Sequence, residues 1–134
     1  MTTIIATREG IYADTLCTYT VPFKTRKHER IGSSIYAGAG DLDDLFKFFA
    51  WRRDGGDPPS GDEALDVLEV CTEGIFIWGK KLVRLWINED SYAIGTGSQY
   101  VIGAMAMGAK PREAMKIATR FDSGTGKQIE YVKL

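Results

Sequence analysis

Residues 3–7 form a β-branched, apolar run, followed by Arg8-Glu9-Gly10 and the apolar Ile11-Tyr12-Ala13. The pattern predicts two short strands joined by a glycine-containing turn. Residues 16–21 either extend the second strand or form a loop, and Pro22 interrupts them. Glu29-Arg30-Ile31 and Ser34-Ile35-Tyr36-Ala37 flank Gly32 and predict a second hairpin. The period then changes. Leu42, Leu45, Phe46 and Phe49 recur at i, i+3, i+4 and i+7, the spacing of one buried helical face. Asp41 can cap this helix, and Asp43 and Asp44 in its first turn favour the dipole. Arg52 and Arg53 suit its last turn, and Gly55-Gly56 ends it.

Residues 54–62 are an obvious loop, short and internal. Strand-like runs at 65–72, 74–78 and 82–87, with turns at Glu73-Gly74 and Gly79-Lys80-Lys81, predict a meander, and residues 92–94 add a short strand. After Gly95-Thr96-Gly97, Tyr100, Val101, Ala104 and Met105 recur at helical spacing up to Gly108. Pro111 suits the start of a last helix whose inner face is Met115, Ala118 and Phe121. Residues 122–126 turn, and 129–132 close the chain as a strand. This order of elements predicts a single α+β domain over residues 1–134, with sheets covered by helices.

Composition narrows the chemistry. With 134 residues, 44% hydrophobic, the chain can bury a core without disulfides or a structural metal. Its 17 basic and 18 acidic residues leave no bulk attraction to nucleic acid or an anionic membrane. The N-terminus lacks the pattern of a signal peptide and the apolar runs are too short for a bilayer helix, so a cytoplasmic location is expected. Cys17, Cys71 and the single His28 do not make a zinc ligand set, and neither metal nor cofactor is expected. Catalysis through a histidine would have to run through His28, which reads better as an ordinary polar residue.

Thr2 offers another route. A small second residue permits removal of Met1, and an N-terminal threonine then carries a hydroxyl nucleophile and an α-amino base in one residue. The amine has a pKa of about 7.7–8.0, close to working pH. It can take the hydroxyl proton without a histidine.

The surroundings of Thr2 resemble a family. Thr2-Thr3-Ile4-Ile5-Ala6 with Gly10-Ile11-Tyr12-Ala13-Asp14 resembles the first hairpin of proteasome β-type subunits and of the related bacterial heat-shock-locus peptidase. Ala93-Ile94-Gly95-Thr96-Gly97-Ser98-Gln99-Tyr100 is similar to their Gly-Ser-Gly turn and following helix. Asp122-Ser123-Gly124-Thr125-Gly126 is similar to their Asp-x-x-Ser-Gly turn. With Lys27-His28-Glu29-Arg30-Ile31-Gly32, the whole chain most resembles the short proteasome-like proteins of bacteria and their phages.

The resemblance implies an N-terminal-nucleophile hydrolase fold, two stacked antiparallel sheets between helix layers. It implies Thr2 as nucleophile, Asp14 and Lys27 as the charge pair beside it, Gly40 as the oxyanion donor and Asp122 with Thr125 as support for the amine. Thr18 and Gly38 match substrate-binding positions. Thr96 stands where the family's turn serine would be, Leu16 replaces a common arginine, and Arg26 competes with Lys27 for the lysine's place. Residues 54–62 replace a second long helix of larger relatives.

The implied activity is that of a threonine-type peptidase in a homo-oligomeric ring or shell. Its substrate would be a peptide or unfolded protein, and an ATP-dependent unfoldase is left open as a further partner. An inactive assembly or binding protein that retains Met1, and a small-amide hydrolase, are the alternatives. Phe48 and Trp51 lie off the predicted helical stripe, and Trp78 and Trp86 end neighbouring strands. With the resemblance, these aromatics are expected to mark a subunit contact to which the helix over residues 41–53 contributes; the competing reading is that they cap the core beneath the 54–62 loop.

Overall fold

The hairpin expected at the start of the chain organises the computed structural model, which describes residues 2–18, 20–60 and 65–134. Met1 and the far end of the predicted 54–62 loop lie outside the described residues. In chain order the elements are β1 (Thr3–Thr7), β2 (Gly10–Asp14), β3 (Leu16–Cys17), β4 (Phe23–Lys24), β5 (His28–Ile31), β6 (Ser34–Gly40), α1 (Leu42–Asp54), β7 (Leu65–Cys71), β8 (Gly74–Trp78), β9 (Arg84–Ile87), β10 (Ser91–Gly95), α2 (Ser98–Ala106), α3 (Pro111–Phe121) and β11 (Ile129–Lys133).

Two antiparallel sheets carry the fold. One has the strand order β10-β1-β2-β11, the other β5-β6-β7-β8-β9, and β3 pairs with β4 in a small arm. Ile4, Ala6, Ile11 and Ala13 of the first sheet share a core with Ile35, Ala37, Leu68, Val70 and Ile75 of the second. The opposite face of β1 presents Ile5, which packs with Val101, Met115 and Ala118 of α2 and α3. β1 is therefore buried on both faces, and its sequence reads as a continuous apolar run rather than an alternation. On the far side of the five-stranded sheet, Leu45, Phe48 and Phe49 of α1 pack on Tyr36, Leu65, Val67 and Trp78. The layers are thus helix, sheet, sheet, helix pair, the expected α+β arrangement.

Two features place α1. Asp41 accepts the N–H groups of Asp43 and Asp44 and caps the helix as expected. Gly38 in β6 leaves room for it, since a Cβ there would overlap the Leu45 side chain. The helix thereby closes on the sheet directly beside the residues that matter below.

Several expectations are corrected. Residues 16–21 neither continue β2 nor remain wholly irregular: Leu16–Cys17 turns back to pair with Phe23–Lys24. The 82–87 run begins later, because Lys81 and Leu82 adopt positive φ in a 3-10 turn. The inner stripe of α1 is rotated: Phe48 is fully buried, whereas Phe46 is 46% exposed. Phenylalanines at 46, 48 and 49 satisfy helical spacing in two registers. The deciding partners are Trp51, Trp78 and Tyr36, whose rings meet Phe48 edge-on with centroids 5.6–5.8 Å away. Phe48, Trp51 and Trp78 thus cap the core and form no outward aromatic patch; Trp86 is the member of the expected group left exposed. Phe121 also faces outward, stacked on Tyr100 at 6.0 Å, and Ala114 takes its place on the inner face of α3.

The rotated stripe gives a direct test. Phe48→Ala should destabilise the protein by about 3–5 kcal/mol. Phe46→Ala should change it by no more than about 0.5 kcal/mol. Urea unfolding of the two variants measures both.

Candidate active site

Asp14 closes β2 with its side chain fully buried. A buried carboxylate needs partners, and this one has three. Oδ1 accepts the Thr3 N–H at 3.0 Å and the Lys27 ammonium at 2.9 Å, and Oδ2 accepts the Gly126 N–H at 3.0 Å. Lys27 lies between β4 and β5, and its carbonyl accepts the Gly38 N–H at 3.0 Å, which ties it to β6. Its side chain is as buried as that of Thr2, each residue being 3% exposed. The ammonium Nζ donates to Thr2 Oγ1 at 2.8 Å. Burial holds the Lys27 pKa below the ordinary lysine value, against the opposing pull of Asp14. A lysine so placed presents a strong donor to the Thr2 hydroxyl and releases its proton more readily than a lysine in water. Arg26, the competing candidate, is exposed.

Thr2 itself is held by the turn after β10. The Gly97 N–H points at the Thr2 carbonyl at 3.5 Å. Gly95 has φ +96°, and a Cβ there would overlap that same carbonyl. Both glycines are thus dictated by the close passage of the Thr2–Thr3 backbone.

Behind this turn lies a chain of hydroxyls. Asp122 Oδ2 accepts Thr96 Oγ1 and Thr125 Oγ1, each at 2.6 Å, and Thr125 Oγ1 lies 2.6 Å from Thr3 Oγ1. A hydroxyl has one proton, so Thr125 donates to Asp122 and Thr3 donates to Thr125. Asp122 and Thr125 therefore reach the Thr2–Thr3 segment through Thr3.

Two clefts meet at Thr2. The first, about 620 Å³, is lined by Thr18, Phe23, Lys27, Gly38, Leu42 and Leu45 among others. The second, about 510 Å³, runs past Asp66, Ile77, Tyr92, Thr96 and Ser98. Thr2 and Gly40 line both. Gly40, at φ +136°, adopts backbone that side chains disfavour. The candidates Thr2, Lys27, Gly38, Gly40 and Thr18 thus share one cleft, with Asp14 behind Lys27, while Thr96 lines the other and is joined to Asp122 and Thr125. Among the described residues, Asp41, Asp43 and Asp44 bring three carboxylates within 4.8 Å at the rim. Asp41 is engaged in capping α1, and Asp43 pairs with Lys47 at 3.0 Å.

Sequence reasoning missed Thr3, Gly126 and Gly97 as parts of the site. Thr3 was visible as a polar residue in an apolar strand, which burial obliges to find a partner. Gly126 contributes only a backbone N–H, and Gly97 an absence, since a Cβ there would overlap Thr3 Oγ1.

No protein-family model matches the chain, and no curated protein matches it in sequence. Solved structures match it nearly end to end. Thiobacillus denitrificans BPH superposes with TM-score 0.74 at 20% identity, covering 98% of this chain and 97% of that one. The same protein in complex with epoxomicin gives 0.72 at 18%, with coverages of 99% and 97%. Eukaryotic HslV from Trypanosoma brucei gives 0.74 at 17%, covering 98% of each chain. The fold is that of the HslV and proteasome-like N-terminal-nucleophile hydrolases. A Gly-1 mutant of Anbu from Hyphomicrobium sp. strain MC1 gives 0.74 at 12%, covering 100% of this chain and 82% of that one. At these identities the likeness is one of fold, and the N-terminal-nucleophile reading of this chain rests on its own side chains.

The hydroxyl chain predicts a pH response. Burial pushes the Asp122 carboxyl up, but hydrogen bonds from Thr125, Thr96 and the Gly124 N–H outweigh it and hold the carboxyl below its ordinary value of 3.8. Its contribution to stability is complete above the unfolded-state value and is lost as pH falls through the lower folded value. Asp122→Asn should therefore unfold with a shallower loss of stability below about pH 4 than the wild type, as read from urea midpoints across that range.

Proposed function

We propose that the protein is a threonine-type peptidase in which removal of Met1 makes Thr2 the N-terminal residue and nucleophile. The observation that carries this reading is the 2.8 Å contact between Lys27 Nζ and Thr2 Oγ1, with Asp14 holding the lysine at 2.9 Å. The Thr2 amine, with a pKa of about 7.7–8.0, takes the hydroxyl proton. Oγ1 bonds to the carbonyl carbon of the scissile amide while Lys27 stabilises the negative charge gathering on Oγ1. The carbonyl oxygen becomes an oxyanion beside Gly40, whose backbone N–H is the proposed donor; one such donor is worth about 2.7–4 kcal/mol. The C–N bond then breaks, the leaving amine takes the proton from the Thr2 amine, and an ester on Oγ1 remains. Water, giving a proton to the same amine, attacks the ester and releases the acid, and the proton returns to Oγ1.

The fold supports a peptide as substrate, because clefts open on both sides of Thr2 and leave room for chain on either side of the cut. Thr18 and Gly38 line the acyl side in this reading, and Thr96 the amine side. The working form is a closed homo-oligomer, in keeping with the common symmetric solution for repeated subunits. Exposed Tyr100 on α2, Met107 just past its end and Phe121 at the end of α3 offer apolar surface for a contact, in addition to the outer face of α1.

Intact mass should show loss of Met1 in protein that cleaves fluorogenic peptides. Epoxomicin, the compound held by Thiobacillus denitrificans BPH, should add its mass to the Thr2 peptide. Thr2→Ala should abolish turnover and labelling. Lys27→Ala should lower turnover roughly 10²–10³-fold with the far-UV circular dichroism spectrum unchanged. Full activity with Met1 retained would sink the mechanism. Light scattering should give a multiple of the 14.9 kDa chain mass; a fully active monomer would defeat the assembly.

A further inference from the structure

At the end of α1 remote from Thr2, a third cleft, of about 500 Å³, opens on the outer face of the five-stranded sheet. Its walls come from the β5–β6 turn, from β6 to β9 and from the last turns of α1. Glu69 lies at its base, 3% exposed, with all its hydrogen-bonding capacity directed at its neighbours. Oε1 accepts Trp78 Nε1 at 2.9 Å and Arg84 Nε at 2.8 Å. Oε2 accepts Ser34 Oγ at 2.7 Å and an Arg84 terminal nitrogen at 3.3 Å. Burial pushes the Glu69 carboxyl up, but the bonds from Arg84, Ser34 and Trp78 outweigh it and hold it below the ordinary value.

The carboxylate of this pair is buried but the Arg84 side chain is 35% exposed, and a pair so open to water adds little stability. Its effect here is positional. Glu69 uses one edge of the Arg84 guanidinium, and the Phe76 ring, with its centroid 3.5 Å from the guanidinium carbon, supports its face. The remaining amino group has no acceptor among the described residues.

Arg52 is the other cation. Its Nε donates to the Tyr36 hydroxyl at 3.2 Å, and its guanidinium carbon lies 4.9 Å from the Trp78 ring centroid and 5.3 Å from that of Trp51. Among the described residues no carboxylate pairs with it. Three aromatic rings within 6 Å support this guanidinium, and its terminal donors have no acceptor among the described residues, the state in which an arginine recognises an oxyanion by a two-bond fork. The lining adds the Ser33 hydroxyl and the apolar surfaces of Ile31 and Trp78.

Two guanidiniums against one carboxylate leave a single excess positive charge. A carboxylate carries one negative charge and a planar pair of oxygens, so it matches this balance better than a phosphate dianion. The cleft's volume falls in the range of small-molecule sites. We propose that this cleft binds a small free monocarboxylate carried on an apolar or aromatic body, with Arg52 as its main anchor, Arg84 as the second donor and Trp78 as the wall for the body. The site is separate from the Thr2 clefts and stands whether or not Thr2 is a nucleophile.

The test uses the full-length protein, phenylacetate as probe, and the amide spectrum with tryptophan emission as readouts. Phenylacetate should bind saturably in the millimolar range and perturb residues 31–36, Arg52, Trp78 and Arg84. Uncharged phenylacetamide and inorganic phosphate should each bind more weakly. Arg52→Gln, at a half-buried position in the last turn of α1, should weaken phenylacetate about tenfold in protein that still unfolds cooperatively, the loss of one charge-assisted fork. Arg52→Lys should restore only part of the affinity, because an ammonium lacks the fork. Equal binding of phenylacetamide, tighter binding of phosphate, an unchanged affinity in Arg52→Gln, or no saturable response would each overturn the proposal.

Discussion

The contact between the Lys27 ammonium and the Asp14 carboxylate, both withdrawn from water, is the constraint around which the Thr2 site is assembled. Removing two charges from solvent costs several kcal/mol per ion, and their attraction offsets this only with further hydrogen bonds in good geometry. Those bonds come from separate parts of the chain. Thr3 contributes its N–H from β1, Gly126 its N–H from the turn before β11, and Thr2 its hydroxyl. The pair is thus a junction between the first hairpin, the β4–β5 connection and the last turn. Thr2 is positioned because these segments must meet there to satisfy two buried ions.

The surrounding layers keep that junction dry and still. β1 is buried on both faces, between the inter-sheet core and the α2–α3 core. On the other side, Gly38 lets α1 approach β6, so that the cap at Asp41 and the bend at Gly40 fall beside Thr2. One missing Cβ thereby relates helix packing to the shape of the cleft. Residues that look like parts of a loop, Gly95 to Gly97, are instead fixed by contact with the backbone of Thr2 and Thr3.

Much of this was legible in the residues. The first hairpin, the capped helix after Asp41, the Pro111 start of α3 and the closing strand follow from local chemistry and period. Asp14, Lys27 and Thr2 were legible only together with a family resemblance, because an aspartate and a lysine on strand ends look like ordinary surface charges until the fold buries them. What was not legible has a common cause. Phe46 and Phe48 both satisfy a helical stripe, and only Trp51, Trp78 and Tyr36, brought together by tertiary packing, decide between them. Phe121 continues the spacing of Met115 and Ala118, yet α3 ends on the open side of Tyr100. Backbone donors such as the Gly126 N–H carry no side-chain signature at all.

The placement of β1 between β2 and β10 sets the order in which the protein can become whole. Thr3 meets Thr125 across 122 residues of chain, and Asp14 meets Gly126 across 112. Contacts of such sequence separation form late, since the loops that join them must close first. During synthesis the first hairpin waits with both outer edges unpaired until residues 91–95 and 129–133 have emerged, and Asp14 waits as long for the Gly126 donor. A nascent chain therefore contains Thr2, Asp14 and Lys27 before it contains the Gly126 donor and the strand that pairs with β2. The full set of bonds around Thr2 and Asp14 is complete only once the last turn and strand have docked.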